Sequence, residues 1–277
     1  MNKLDYLKGR MEKRHLSGDD FEIIGSLIYT LSSQEVCDFF DFSFQHDYHI
    51  RRYVLRKISN DISKGFLPEH KLLLSLLIKK LDQKGFEKKQ SCAYSIDFIY
   101  DSLPVKEKRK ILLKFLFSTS SRNRDRALKR IKSNWNGKYQ QLIEKVWNLY
   151  KDQYALDIII SFFPPEYLLN NYKTLIPHAN SYQISKLFIK LGQVDLQKVE
   201  ELKIIDEISF AYVMTKFERK ISISDAKDII KRNYQDERIG LLMWCFGQMG
   251  LWEGIIDYDI NYLNKHRLAT IDKFVHQ

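Results

Sequence analysis

The stretch HIRRYVLRKI, residues 49–58, decides the fold because its apolar side chains are spaced as one side of a helix. Arg51 is followed by Val54 three positions on and by Ile58 four positions further. Side chains at these intervals lie on the same side of an α-helix, which has about 3.6 residues per turn. The pattern therefore predicts an amphipathic helix whose packing side begins at an arginine.

The same spacing recurs along the chain, once with lysine in place of arginine. The other copies begin at Lys89 in EKKQSCAYSI, at Arg124 in SRNRDRALKRI and at Arg238 in DERIGLLMWCFGQMG. The first positions of three consecutive copies, 51, 89 and 124, are 38 and 35 residues apart. A period of this length is typical of two-helix units that stack on their neighbours.

These copies resemble the HEAT-like family of α-solenoids, in which the second helix of a unit typically starts with an arginine followed by Ala and Leu positions. FIKLGQVD (188–195) and WCFGQMGLWE (244–253) resemble the Leu-Gly-like step that often ends such a helix, with Gly192 and Gly247 in the tight position. The resemblance implies an all-α, right-handed α-solenoid of about seven HEAT-like helical pairs. It implies no particular function, because this architecture hosts many unrelated ones.

In a HEAT-like unit the repeated arginine usually serves the structure. We therefore expect Arg51, Arg124 and Arg238 to bond to neighbouring carbonyls or carboxylates rather than to a ligand.

Helical periodicity dominates the whole chain, which has only 11 glycines and 5 prolines to interrupt it. Runs that alternate apolar and polar residues, as strands do, are few. Helix start signals recur, and the clearest are the Ser32–Glu35 capping box, Pro104, the Pro164–Pro165 pair and Ser222. We expect an all-α chain of roughly a dozen short helices.

The net charge of +10 is unevenly distributed along the chain. Residues 1–50 hold 5 basic and 9 acidic side chains, residues 51–150 hold 24 and 9, and residues 151–277 hold 16 and 17. We expect one HEAT-like domain over 1–277, with an acidic N-terminal cap, basic central repeats and neutral C-terminal repeats at these bounds. A regional excess of positive charge indicates a surface that meets an anionic partner.

On a helical wheel of residues 120–135, the cations separate from the packing side. Arg124, Ala127 and Ile131 fall on one side, and five other basic residues fall on the opposite side, where they would meet solvent or a partner. Equivalent helices of stacked units align, so basic stripes can merge into one surface. The candidate binding residues of this basic face are Arg52, Arg56, Lys57, Lys106, Lys108, Arg109, Lys110, Arg122, Arg126, Lys129, Arg130 and Lys132.

A run of charge is often only a solvated face, and three anionic partners would also suit this one. We expect a protein partner with an acidic or amphipathic segment. The alternatives are the backbone of DNA or RNA and a phosphorylated segment. No membrane partner is expected.

Aromatic residues near the basic stripe could stack on bases, but most of them follow the apolar period. Trp135 and Trp147 are expected in the core, and Tyr139 is the one candidate for stacking. Some solenoids of this kind are DNA glycosylases for alkylated bases, which use a paired-Trp and Asp cluster. The nearest approach here is Trp252 and Asp257, which are five residues apart and poorly aligned.

Catalytic and metal motifs do not stand out in the sequence. Gly-x-Ser-x-Gly, His-Glu-x-x-His and a glycine-rich phosphate loop are missing. His46 and His49 are three residues apart, as a metal pair requires, but no matching pair accompanies them. We therefore expect a non-catalytic protein without a metal or cofactor.

The cysteines and the N-terminus indicate the compartment. Cys37, Cys92 and Cys245 are far apart and lie in apolar runs, so we expect buried thiols and a reducing environment. The charged N-terminal stretch resembles no signal peptide, and no apolar run approaches the about 20 residues of a membrane span. A soluble, cytoplasmic protein is expected.

Overall fold

The structure is a computed structural model that describes residues 2–13, 15–81 and 86–251, without the side chains of residues 86 and 87. The described residues form helices joined by turns and loops and contain no strand, and helix makes up 79% of the structure. The all-α prediction is therefore confirmed. The chain divides into two compact units, one ending at Arg130 and the other starting at Ile131.

Unit 1 contains helices α1 to α7 and most of α8, which spans the boundary. Their bounds are α1 Lys3–Met11, α2 Gly18–Leu27, α3 Ser33–Ser43, α4 Tyr48–Ser63, α5 His70–Leu81, α6 Phe86–Ile99, α7 Val105–Leu116 and α8 Ser121–Ser133. Within this unit α4 packs on α6, α5 packs on α6, and α3 packs on both α4 and α5.

Unit 2 contains the remaining described helices. Their bounds are α9 Gln140–Tyr150, α10 Gln153–Phe162, α11 Pro165–Leu175, α12 Ser181–Val194, α13 Gln197–Ile205, α14 Glu207–Lys216, α15 Ile223–Asn233 and α16 Ile239–Gln248. Here α10 packs on α12, α12 on α14, and α14 on α16.

The predicted helix starts are present. The Ser32 hydroxyl accepts from the Glu35 amide, and the Glu35 carboxylate accepts from the Ser32 amide at 2.8 Å, which is a complete capping box. Pro104 precedes α7, Pro165 occupies the first turn of α11, and Ser222 caps α15. Because these signals are local, they fix where each helix begins.

The repeated arginines are structural, as predicted. Arg51 is buried and donates to the His46 carbonyl at 2.9 Å and to the Ser91 hydroxyl at 3.1 Å. Arg124 is buried and donates to the carbonyls of Ser118 and Thr119 at 3.0 and 3.1 Å. Both guanidinium groups satisfy loop carbonyls just before their helix, which fixes the entry of the chain into that helix.

Arg238 also has a structural role, in unit 2, but its partners are carboxylates. Its Nη1 lies 2.7 Å from Asp206, and its Nε and Nη2 lie 3.1 and 3.0 Å from Asp236. Asp206 also accepts from the Ser209 amide at the start of α14. Burial would raise the pKa of Asp206, but the hydrogen bond and charge of Arg238 outweigh it and hold that pKa below its usual value.

Asp206→Asn should lower the free energy of unfolding at neutral pH by about 2 kcal/mol, because a charge-assisted hydrogen bond is lost while the helix cap remains. The lowered pKa means that the stabilisation exists above the usual carboxyl value of about 4 and disappears as pH falls through the lower folded value. Thermal melts from neutral to acidic pH should show a gap between wild type and variant that closes on acidification. The exposed carboxylate of Asp228 provides a control, because Asp228→Asn should leave the melting curves unchanged. A gap that is independent of pH would contradict this assignment.

Gly192 occupies a tight position in α12, as its resemblance to a HEAT-like helix end suggests. A Cβ placed on it would lie 2.7 Å from the ring of Phe217 and 2.7 Å from the side chain of Val199. No side chain fits at that distance, so the glycine lets α12 approach its neighbours closely.

Gly192→Ala should destabilise the protein by roughly 1–3 kcal/mol, because the added methyl group overpacks a fitted contact. Urea denaturation measures the effect. Gly9→Ala in α1 is the matched control: a Cβ there meets no atom within 4 Å, and alanine is the better helix former. The contact would be disproved if Gly192→Ala were as stable as the control.

All three cysteines are buried and form no disulfide bond, as predicted. Burial raises the pKa of the Cys37 thiol to about 11 and those of Cys92 and Cys245 to about 12. They therefore remain protonated and unreactive at neutral pH. No helix in the described part of the chain is both long and apolar enough to cross a membrane.

Candidate functional site

The predicted basic face is partly exposed and partly half-buried. The exposed members are Arg52, Arg56, Lys106, Arg109, Lys110, Arg122, Lys129 and Lys132, and the half-buried members are Lys57, Lys108, Arg126 and Arg130. The expectation that the stripe on α8 stands apart from all packing therefore holds for only part of it.

Arg126 and Arg130 are not directed at solvent alone, which corrects the helical-wheel prediction. Arg126 Nε lies 2.5 Å from Asp97 Oδ2, and Arg130 Nη2 lies 3.3 Å from Asp97 Oδ1. Arg126 Nη1 also donates to the side-chain oxygens of Gln90 and Asn123, both at 3.2 Å. The wheel missed these pairs because Asp97 belongs to α6, about thirty residues earlier in the chain.

Three further members of the basic face also have partners. Lys132 Nζ lies 2.6 Å from Asp157 within unit 2, and Lys57 Nζ lies 2.9 Å from Asp61 within unit 1. Lys108 donates to the backbone carbonyl of Asp101 at 2.8 Å. These cations stabilise local contacts, so they are weaker candidates for binding a partner than the sequence suggests.

The structure brings three of the predicted arginines together in one pocket of unit 1, which we call the Arg/Tyr pocket. Its volume is about 140 Å³. It lies among α4, α6 and α8, and its lining residues are Tyr48, Arg52, Leu55, Gln90, Ser91, Tyr94, Ser95, Arg122 and Arg126. In the sequence only their charge groups Arg52, Arg122 and Arg126, and in the structure they share a cavity.

Two tyrosine rings position Arg52 at the pocket wall. The Arg52 guanidinium lies 5.8 Å from the Tyr48 ring centroid and 5.6 Å from that of Tyr94, both within cation–π range. A hydrogen bond from the guanidinium to Tyr94 is the main cause that raises the pKa of Arg52. The group is therefore always charged, and the two rings limit its movement.

The side chains that line the pocket have a chemistry that suits an oxyanion. Guanidinium groups are planar, permanently charged and rich in donors, and they match the oxygen geometry of carboxylates and phosphates. Among the described residues, Arg126 bonds through Nε and Nη1, and its Nη2 donors make no further hydrogen bond. Arg126 is thus held in place while keeping donors for a ligand.

Tyr48 and Tyr94 were not predicted from the sequence, although their helical spacing from other pocket residues indicates them. Tyr48 stands four residues before Arg52, and Tyr94 stands four residues after Gln90, so each pair lies on one helix side. Applying the helical wheel to α4 and α6, as to α8, would have placed these side chains on the corresponding sides.

The aromatic residues named from the sequence lie elsewhere. Trp147 is 3% exposed and packs inside unit 2, as predicted. Trp135, also predicted in the core, is only half-buried and stacks on the exposed ring of Phe162 with centroids 5.2 Å apart. Tyr139 is half-buried in unit 2, with Lys138 Nζ 5.4 Å from its ring centroid. Trp252 and Asp257 lie outside the described residues.

The His and Asp cluster before α4 has structural contacts. Asp41 pairs with Lys80 at 2.5 Å, and the His46 ring packs edge-on against Phe42 with centroids 4.7 Å apart. Burial is the main cause that lowers the pKa of His46. Within the described ranges, no group of three or more metal-ligating side chains is arranged to hold an ion.

No protein-family model matches the chain, and comparisons with curated proteins and with solved structures gave no significant match. The Arg/Tyr pocket and the positive charge of unit 1 are therefore the features of the molecule that bear on its function.

Proposed function

We propose that the chain is a non-catalytic binding scaffold of HEAT-like helical pairs. Support comes from the contacts between every second helix within each unit: α4 packs on α6 in unit 1, and α12 packs on α14 in unit 2. The period of 38 and 35 residues and the buried arginines at the repeated position agree with this architecture.

The proposed ligand is an acidic segment of a partner protein, and the Arg/Tyr pocket is the observation that carries the proposal. Arg52 comes from α4, Arg122 and Arg126 come from α8, and all three line one cavity. Residues 51–130, which belong to the same unit as the cavity, have 21 basic and 8 acidic side chains, and this excess of positive charge attracts anions. Arginines fixed by aromatic and carboxylate neighbours lose little further entropy when they bind a carboxylate.

Charge reversal at exposed residues of this surface tests the proposal. Arg52→Glu, Arg122→Glu and Lys129→Glu together should weaken binding of fluorescently labelled poly-L-glutamate at least about tenfold, because oppositely charged contacts become repulsive. The melting temperature should fall by only a few degrees, since all three side chains are exposed and the contacts of exposed cations contribute little to stability. Arg126 is left intact because it pairs with Asp97.

A matched variant separates local recognition from net charge. Arg219→Glu, Lys220→Glu and Lys231→Glu change the same number of exposed charges in unit 2. This variant should bind poly-L-glutamate nearly as well as the wild type does. Equal weakening in both variants would mean that the protein attracts polyanions only through its overall charge, and the proposed surface would be wrong.

The backbone of a nucleic acid is the second candidate, and the pairing of arginines with tyrosines favours it. Besides Arg52, the Arg130 guanidinium lies 4.0 Å from the Tyr100 ring centroid. Rings beside cations are the usual means of holding single strands. The Tyr94 ring argues against a nucleic acid, because it already contacts Arg52 and the ring of Phe98, whose centroid lies 5.1 Å away.

Salt dependence distinguishes the two candidates. If single-stranded RNA or DNA is the ligand, the logarithm of its affinity should fall linearly with the logarithm of salt concentration, with a slope of about −0.7 for each phosphate contacted. Anisotropy titrations with labelled oligonucleotides at several ionic strengths measure that slope. If the partner is an acidic protein segment, oligonucleotides should not bind at physiological ionic strength. Tight oligonucleotide binding at that ionic strength, lost in the Arg52, Arg122 and Lys129 variant, would instead identify a nucleic acid as the ligand.

A further inference from the structure

The Arg/Tyr pocket is an open cavity with a volume of about 140 Å³. A cavity of this size excludes neither a phosphate group nor a carboxylate, so the donors that line it decide between the two.

The donors of the pocket also exceed what one carboxylate requires. Arg52, Arg122 and Arg126 each contribute a guanidinium group with several N–H donors. A phosphate monoester carries a charge of about −1.5 to −2 at neutral pH and three strongly accepting oxygens, whereas a carboxylate carries one charge and two oxygens. Three cationic forks around one cavity therefore match the monoester better.

The tyrosines favour an anion over a base. Tyr48 has the guanidinium groups of Arg51 and Arg52 at 5.9 and 5.8 Å from its centroid, and Tyr94 has Arg52 and Phe98 as neighbours. These ring faces already contact arginines, so they are not available to stack on a nucleic-acid base. The pocket is therefore preorganised for a charged head group.

Resting on the proposed function, we propose that the Arg/Tyr pocket binds a phosphate monoester on a serine or threonine side chain of the acidic partner segment. Arg52 and Arg122 contact the phosphate from α4 and from the first turn of α8. Arg126, held by Asp97, contributes its Nη2 donors. The protein would then recognise its partner in the phosphorylated state and release it after dephosphorylation.

The test compares three versions of one labelled Asp/Glu-rich peptide, with phosphoserine, serine or glutamate at the central position, against the full chain by fluorescence anisotropy. The phosphoserine peptide should bind at least about tenfold more tightly than the glutamate peptide, and inorganic phosphate should compete while acetate should not. Arg52→Gln with Arg122→Gln should abolish the difference between these peptides. Arg219→Gln with Lys220→Gln, a change of the same charge in unit 2, should preserve it.

The outcomes separate this inference from the proposed function. Equal binding of the phosphoserine and glutamate peptides would overturn phosphate recognition and leave acidic-segment binding in place. If no peptide binds but inorganic phosphate shifts the Arg52 and Arg122 side-chain N–H resonances in NMR spectra, the pocket is supported and the acidic partner is not.

Two further results would count against the proposal. Without peptide binding and without a phosphate shift, both the pocket and the partner fail. An oligonucleotide whose affinity depends on a 5′-phosphate, bound more tightly than the phosphoserine peptide, would assign the monoester to a nucleic acid end instead of a protein.

Discussion

The carboxylate of Asp97 is the contact on which the basic face of unit 1 depends. It lies on α6 and pairs with Arg126 and Arg130, which stand one turn apart on α8. Without it, two guanidinium groups on one helix side would repel each other and the neighbouring cations. With it, α8 is joined to α6, and Arg126 is fixed at the wall of the Arg/Tyr pocket. A structural ion pair thus positions one wall of the proposed binding pocket.

The helical architecture could be predicted from the sequence because its causes are local. The capping box at Ser32, the proline starts and the side-chain period all act within a few residues. The buried positions of Arg51 and Arg124 also followed, since each arginine bonds to carbonyls only a few residues earlier in the chain. Gly192 is a partial exception, because its tight contact with Phe217 involves residues 25 positions away and was suggested only by family resemblance.

The candidate site could be predicted only in part, because its contacts join helices that are far apart in the sequence. Charge counting singled out residues 51–150, which include the arginines of the Arg/Tyr pocket, and the helical wheel placed Arg122 and Lys129 on an exposed side. It could not place Asp97 beside Arg126, because that contact depends on how α8 packs on α6. Nor could it unite Arg52 with Arg122, which are seventy residues apart in the chain and meet in one cavity. Contacts between helices decide which cations stabilise the fold and which can bind.

Hydrogen–deuterium exchange of the full chain, with and without saturating poly-L-glutamate, tests most directly whether unit 1 holds the binding surface. Binding at the Arg/Tyr pocket should slow exchange in peptides from α4, α6 and the first turns of α8, because the bound anion ties these helices together. Exchange in α12 to α16 should be unchanged. Protection concentrated in those unit 2 helices, or spread evenly over the chain, would contradict the central claim that this pocket is where the protein meets its partner.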